Sequence, residues 1–379
     1  MHFFGDASFF NFEVYHFQHI YFIAVHSIIM YARYTKHTLQ FSRPSGTSRG
    51  VLKTKDSWYL ILKSSLDDIK YGIGECSIIE GLNPENSSEL DKKFDKLCQI
   101  INESDSVSND FFSHHPSVRF AYEMAMRDLD TGGAKILYDN NFVKGKGIPI
   151  NGLIWMGTKE YMIEQVSAKL DQGYQCLKLK VAAIDFGQEL DILKSIRDTY
   201  SKDDLEIRLD ANGGWSPQDA VDKLNQLSEY SIHSIEQPIR QGQWEEMAKI
   251  VTQSQIPVAL DEELIGVENS EKREELLDLI SPDYIILKPS LLGGFSASDE
   301  WIQLANDRNI KWWITSALES NIGLNAIAQW TASLDNTMYY QGLGTGQLFD
   351  NNIPSPLQIR DAHLQYVEAI DWQLDFIAP

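Results

Sequence analysis

The chain has 379 residues, 43% hydrophobic and 23% charged, an ordinary balance for a globular protein, and it is too long for one core to keep growing. Two domains, or one large barrel with an addition, are therefore expected. Thirty-three basic against 54 acidic side chains give a formal net charge of -21, which argues against a nucleic-acid partner because phosphate binding needs a basic face.

The opening stretch MHFFGDASFFNFEVYHFQHIYFIAVHSIIM is aromatic and apolar but contains no Lys or Arg. Asn11, Glu13, His16, Gln18, His19 and His26 break the apolar run well short of the roughly 18 residues a membrane span requires. Residues 1–29 read as an upstream extension, with an interfacial anchor as the alternative, and the domain is expected to begin near Met30. From Tyr31 to about Ile79 the pattern is strand-like, in three runs separated by turn residues. Two helices are predicted near Glu89–Asn102 and Pro116–Leu129, the second with Val118, Tyr122, Ala125 and Leu129 at helical spacing. This is a small α+β unit. Cys76, Cys98 and Cys176 are scattered and form no CxxC pair, so neither a disulfide framework nor a zinc knuckle is indicated, and a reducing cytoplasm fits.

After KGKGIP the character changes to short apolar strands alternating with amphipathic helices. Candidate strands end at Ile154, Val181, Asp210, Glu236, Asp261, Lys288 and Thr315. Regular βα alternation predicts a parallel sheet, and seven or eight units predict its closure into a barrel. An open doubly wound sheet is the competitor, but no GxGxxG follows the first strand.

The strand ends carry the chemistry. Asp210, Glu236 and Asp261 close three successive strands, each about one βα unit after the last, so the three carboxylates are expected to converge at the C-terminal mouth of a barrel. Acids without histidine or thiolate describe a hard-cation site, for Mg²⁺ with Mn²⁺ as a substitute. Helix capping or pairing with surface bases is the plain alternative for any one acid. In QCLKLKVAA, Lys178 and Lys180 point the same way, with Cys176, while Leu177, Leu179 and Val181 take the opposite face. Beside a divalent cation and each other, such lysines should lose charge; a fall from about 10.4 to about 7–8, costing roughly 4 kcal/mol, would make a usable general base. Structural neutralisation of the acids is the competing reading. Lys288 ends the strand after that of Asp261, across from Lys180.

A KxK strand, D-x-N, E-x-P, D-E and KP at one-unit spacing, after a mixed N-terminal region, resembles the enolase superfamily in its muconate-lactonising branch over about residues 31–370. Within that branch RPSGTSRGVL, GECSIIEGL, LDANGGW, SALESNIGLNAIAQW and GLGTGQLF resemble the family that forms o-succinylbenzoate in menaquinone biosynthesis. The resemblance implies an α/β fold, a modified TIM barrel of the (β/α)7β type over 146–360 with an α+β capping domain over 30–145, and a segment 361–379 returning to the cap. It implies Asp210, Glu236 and Asp261 as Mg²⁺ ligands, although Glu262 and Glu263 compete for the third place. Lys180 would be the base, Lys288 the group facing it, and Lys178 a supporting charge. The implied reaction is a syn dehydration of a small carboxylate through an enediolate. An N-acylamino-acid racemase or dipeptide epimerase with the same opposed lysines is the nearest rival, and a non-catalytic metal-binding barrel the more distant one. The D-x-D motif typical of dipeptide epimerases is missing beyond the final strands.

Further candidates for holding substrate are Asn212, two residues past Asp210, or else a turn former beside Gly213 and Gly214. Arg49, in the Arg43–Gly50 loop, would meet a distal carboxylate unless that loop is a plain hairpin tip. Ser316 and Ser320 in SALESN would do the same, with helix capping as the other use of Ser320. Gly293, with Gly294, would allow close backbone approach or simply form a loop. Oligomeric state is not legible.

Overall fold

A computed structural model describes residues 30–47, 50–104, 106–334, 339–375 and 377. The extension 1–29 and the candidate Arg49 lie outside these residues. Strand β1 (Tyr31–Thr47) pairs antiparallel with β2 (Gly50–Lys63), with a register shift between Gln40 and Ser45, and β2 pairs with β3 (Gly72–Ser77). Helix α1 (Ser87–Glu103) starts where Asn86 accepts a hydrogen bond from the Ser88 amide, and it buries Leu90, Phe94, Leu97 and Ile101 at helical spacing. Helix α2 (Pro116–Asp130) begins on a proline, whose missing N–H costs nothing at that position. It lies so close on β3 that a Cβ at Gly74 would stand 1.8 Å from the Ala121 carbonyl oxygen. Only glycine admits that approach.

The strand β4 (Ile148–Pro149) precedes seven parallel strands in one sheet. These are β5 (Gly152–Ile154), β6 (Cys176–Lys180), β7 (Glu206–Asp210), β8 (Ser234–Glu236), β9 (Val258–Leu260), β10 (Tyr284–Leu287) and β11 (Lys311–Ile314). Each ends within one residue of its expected position. Between them run α3 (Lys159–Asp171), α4 (Phe186–Arg197), α5 (Pro217–Leu227), α6 (Trp244–Gln253), α7 (Ser270–Ile280), α8 (Pro289–Leu292) and α9 (Gly294–Asp307), with α10 (Asn321–Ser333) after β11. Leu177, Leu179 and Val181 join the main core, so Lys178 and Lys180, on the alternate face, point into the barrel. Inside, Ala259, Tyr284, Ile286 and Trp313 pack as a separate apolar layer.

A segment with no strand pattern closes the ring. Gln341 bridges Ile150 and Gly342 bridges Thr315, both in parallel sense, so these residues form a short eighth stave between β11 and β5. The Asn151 amide donates to Gln341 O at 3.0 Å and the Gly342 amide to Ile314 O at 2.8 Å. The chain then forms the hairpin β12 (Leu357–Arg360) and β13 (His363–Tyr366), which pairs with β4, and Ile377 O accepts from Arg33 of β1 at 2.9 Å. Among the described residues no helix is long and apolar enough to cross a membrane.

Candidate active site

Parallel register sets the first contacts: Lys180 pairs with Asp210, and Asp210 with Glu236, so one rung of the barrel carries all three side chains. Lys178, 5% exposed, sits one layer deeper and bridges Asp210 Oδ2 at 2.8 Å and Glu236 Oε1 at 2.6 Å. Lys180 Nζ lies 2.6 Å from Asp210 Oδ2 and 2.7 Å from Asn212 Oδ1. Lys288, immediately after β10, donates to Asp261 Oδ2. The acid trio is at most 2% exposed and lies outside the cavity lining, to which all three lysines belong.

Asn212 takes the left-handed conformation, φ 44°, which its short polar side chain tolerates. That turn lets its amide donate to Asp210 Oδ1 at 3.0 Å and its Nδ2 to Glu262 Oε1 at 3.0 Å, while Oδ1 holds Lys180. The three consecutive acids separate by their partners. Glu263 accepts from Gln237 Nε2 at 2.9 Å and from the Gly242 amide at 2.7 Å, so it braces the loop after β8; Glu262 faces Asn212; Asp261 faces Lys288.

Four carboxyl groups, Asp210, Glu236, Asp261 and Glu262, share three ammoniums, and the imbalance shows in their protonation. Burial raises Asp210, but Lys178 and Lys180 outweigh it and hold the carboxyl well below the usual range. Glu236 goes the other way: burial and then the charge of Asp210 drive it well above the usual carboxylate value. Glu262 is raised by burial and by Asp261. Lys178, one of the two strand lysines expected to lose charge beside a cation, is not depressed by its protein neighbours, and neither is Lys288. Burial opposes charge at both, yet Asp210, Glu236 and Asp261 prevail at Lys178, and Asp261 and Glu236 at Lys288, raising both above the ordinary lysine value. The expected fall rests on a divalent cation and the neighbouring ammonium, and these carboxylates act in the opposite sense.

The donor set suits a hard divalent cation, because excess buried negative charge with a strained Glu236 is what such an ion relieves. Among the described residues no three acid, histidine or cysteine side chains already close on a common point; their oxygens are turned onto the lysines.

The cavity has a volume of about 350 Å³. Lys178, Lys180, Lys288, Asn212 and Glu262 form its polar end. Leu52 and Ile79 of the cap, with Trp155, Leu318 and Leu348 of the barrel, form an apolar wall. Ser316 and Thr345, hydrogen-bonded to each other, add hydroxyls. Two sequence candidates fall elsewhere. Ser320 caps α10, accepting from the Ile322 amide at 3.2 Å and donating to Glu75 at 2.6 Å, and is not among the cavity residues. Gly293 (φ 101°) is the left-handed joint between α8 and α9, beside Ala297 and Arg119. The arginine in the cavity wall is Arg43. Sequence reading passed over Trp155 because it sought charged strand ends only, and over Thr345 although it lies within GLGTGQLF.

Residues 161–370, more than half of the chain, match the family Enolase C-terminal domain-like. With a capped parallel barrel and acids on successive strand ends, the chain belongs to the enolase superfamily. An o-succinylbenzoate synthase from Desulfotalea psychrophila is 46% identical over 358 residues, covering 86% of this chain and 96% of that relative. At that likeness the chain falls within the o-succinylbenzoate synthase family. The crystal structure of MenC from the same organism superimposes with a TM-score of 0.80 at 43% identity, covering 89% of this chain and 99% of that one. A dipeptide epimerase from Cytophaga hutchinsonii, complexed with Mg and the dipeptide D-Ala-L-Val, shares the fold at a TM-score of 0.78 and 20% identity over 93% of this chain and 97% of its own.

Proposed function

We propose that the chain dehydrates 2-succinyl-6-hydroxy-2,4-cyclohexadiene-1-carboxylate to o-succinylbenzoate, a step of menaquinone biosynthesis, with Lys180 moving the protons. The observation that carries this reading is the pair of ammonium-bearing strand ends, Lys180 on β6 and Lys288 after β10, lining one cavity over a buried acid trio. Asp210, Glu236 and Asp261 are the residues to hold a divalent cation, which when bound supplies positive charge for the substrate carboxylate. Lys180, as the free amine, takes the proton from C1, and the C1–H electrons pass into the carboxylate as an enediolate. The same nitrogen, now an ammonium, returns its proton to the C6 hydroxyl on the same face. The C6–O bond breaks, water leaves, and the C1–C6 double bond completes the aromatic ring. Lys288 on the opposite side stabilises the added negative charge without exchanging a proton. Asn212 and Asp210 hold Lys180 at the rung where that proton travels. The apolar wall of Leu52, Ile79, Trp155 and Leu318 takes the ring and side chain and keeps bulk water out.

The test compares kcat/KM for the cyclohexadiene substrate with kcat/KM for N-succinyl amino acids under Mg²⁺. Dehydration should dominate. Racemisation exceeding dehydration would replace this reading with the racemase one, and no turnover of either would leave a binding barrel.

A further inference from the structure

The loop between β11 and α10, residues 315–320, carries part of the cavity wall, yet its conformation is held from the other domain. Ser316, Ala317 and Leu318 line the cavity. Leu318 sits at φ 63°, a left-handed conformation unfavourable for a residue with a Cβ, so something must hold it there. Its carbonyl oxygen accepts a hydrogen bond of 2.7 Å from Lys55 Nζ, on strand β2 of the cap. Lys55 is 5% exposed, and its second bond goes to Ser77 Oγ on β3. The Leu318 side chain packs among Leu39 and Phe41 of the cap and Phe349 of the barrel.

A second grip lies two residues on. Glu75 of β3, fully buried, accepts from the Ser320 amide at 2.8 Å, from Ser320 Oγ at 2.6 Å and from the Gly323 amide at 2.8 Å, at the start of α10. Between the two grips, Glu319 accepts from the Ala317 amide at 2.7 Å and from Ser290 Oγ at 2.5 Å. One buried ammonium thus stands among two buried carboxyl groups at the seam. A lysine with no role at such a seam would be better replaced by a hydrocarbon.

We infer that Lys55, seconded by Glu75, is a positioning residue: the cap reaches into the barrel and fixes Leu318 and its neighbours as the wall against which the non-reacting part of the substrate lies. The inference rests on the proposed reading that substrate occupies this cavity. Since Lys180 stands on β6, Lys288 just after β10 and the carboxylates at the ends of β7 to β9, loosening this wall weakens binding and leaves the chemical step in place.

Two measurements on the full chain separate the possibilities. Hydrogen–deuterium exchange, which needs no substrate, should show the amides of residues 316–320 exchanging at least about tenfold faster in Lys55→Met, with the strands β6 to β9 unchanged. In turnover, Lys55→Met should raise KM about tenfold, the scale of one hydrogen bond to a charged group, with kcat within about threefold. Combined with Leu318→Ala it should add little further, because both act through the same wall. If Lys55→Met does not fold, the isosteric Glu75→Gln carries the same two readouts with smaller shifts. Unchanged exchange in the loop, or a loss in kcat with KM intact, overturns the inference. A wild-type chain that fails to dehydrate the cyclohexadiene would instead defeat the proposed reaction, and loop exchange would still decide the latch.

Discussion

Replacing Lys180 by alanine tests the proposed proton carrier apart from the rest of the site. A positioned acid–base group contributes about 10²–10⁴-fold per step, and in the proposed mechanism one amine serves both abstraction and return, so kcat should fall by about 10⁴-fold. Lys288→Ala removes an electrostatic contribution only, and about 10²–10³-fold is expected. The fold should survive Lys180→Ala. Removing the sole partner of a buried charge costs about 3–5 kcal/mol. Asp210, however, keeps Lys178 at 2.8 Å and the Asn212 amide at 3.0 Å, so about 1–2 kcal/mol is the expected loss by the same reasoning. The assay follows disappearance of the conjugated diene alongside a thermal melt by circular dichroism. A Lys180→Ala variant within about tenfold of wild type would refute the assignment of the base. So would a Lys288→Ala variant more damaged than Lys180→Ala, which would move the proton transfer to the opposite face.

Three further outcomes test the electrostatics. Saturating Mg²⁺ should raise Tm and EDTA lower it, the bound ion adding about 2.7 kcal/mol of stability at a hundred times Kd, and Asp261→Asn should shrink the shift; an identical Tm in both buffers would remove the cation from the account. Glu85, buried against the Ser117 amide at 2.6 Å, is pushed up by burial from 4.5 to about 7. A folded value above the unfolded one means that stability is complete below about pH 4.5 and is lost as pH rises through 7, by about 3 kcal/mol, so Glu85→Gln should gain Tm over wild type at pH 8 and not at pH 4; equal gains at both would contradict this. Asn212→Ala should lower kcat about tenfold and leave KM nearly unchanged, because it orients Lys180 through one hydrogen bond of 2.7 Å; a change confined to KM would make Asn212 a substrate ligand.

How far the site could be read in advance follows from which forces are local. Alternation along LKLK fixed the side of the strand on which Lys178 and Lys180 lie, since a strand repeats every two residues whatever surrounds it. Acids ending successive strands were placed on one rung because parallel strands advance in register, as the Lys180–Asp210–Glu236 pairing has it. The run Asp261, Glu262, Glu263 was harder. Its three side chains differ in partners drawn from other loops, Lys288, Asn212 and Gln237, and no local pattern names those. Ser320 was ambiguous for the same reason, and Glu75, distant in sequence, claims it for capping.

The sequence alone therefore determined the order of elements, the strand ends and the face each charged side chain presents, all consequences of backbone geometry over a few residues. Tertiary structure decided that the lysines meet carboxylates, which raise Lys178 and Lys288, that Gln341 and Gly342 close the barrel without a strand signature, and that the cap supplies both a wall of the cavity and the lysine that grips the loop after β11. Charge state, closure and grip depend on groups brought together from distant parts of the chain, and the strength of a buried charge is set by those neighbours.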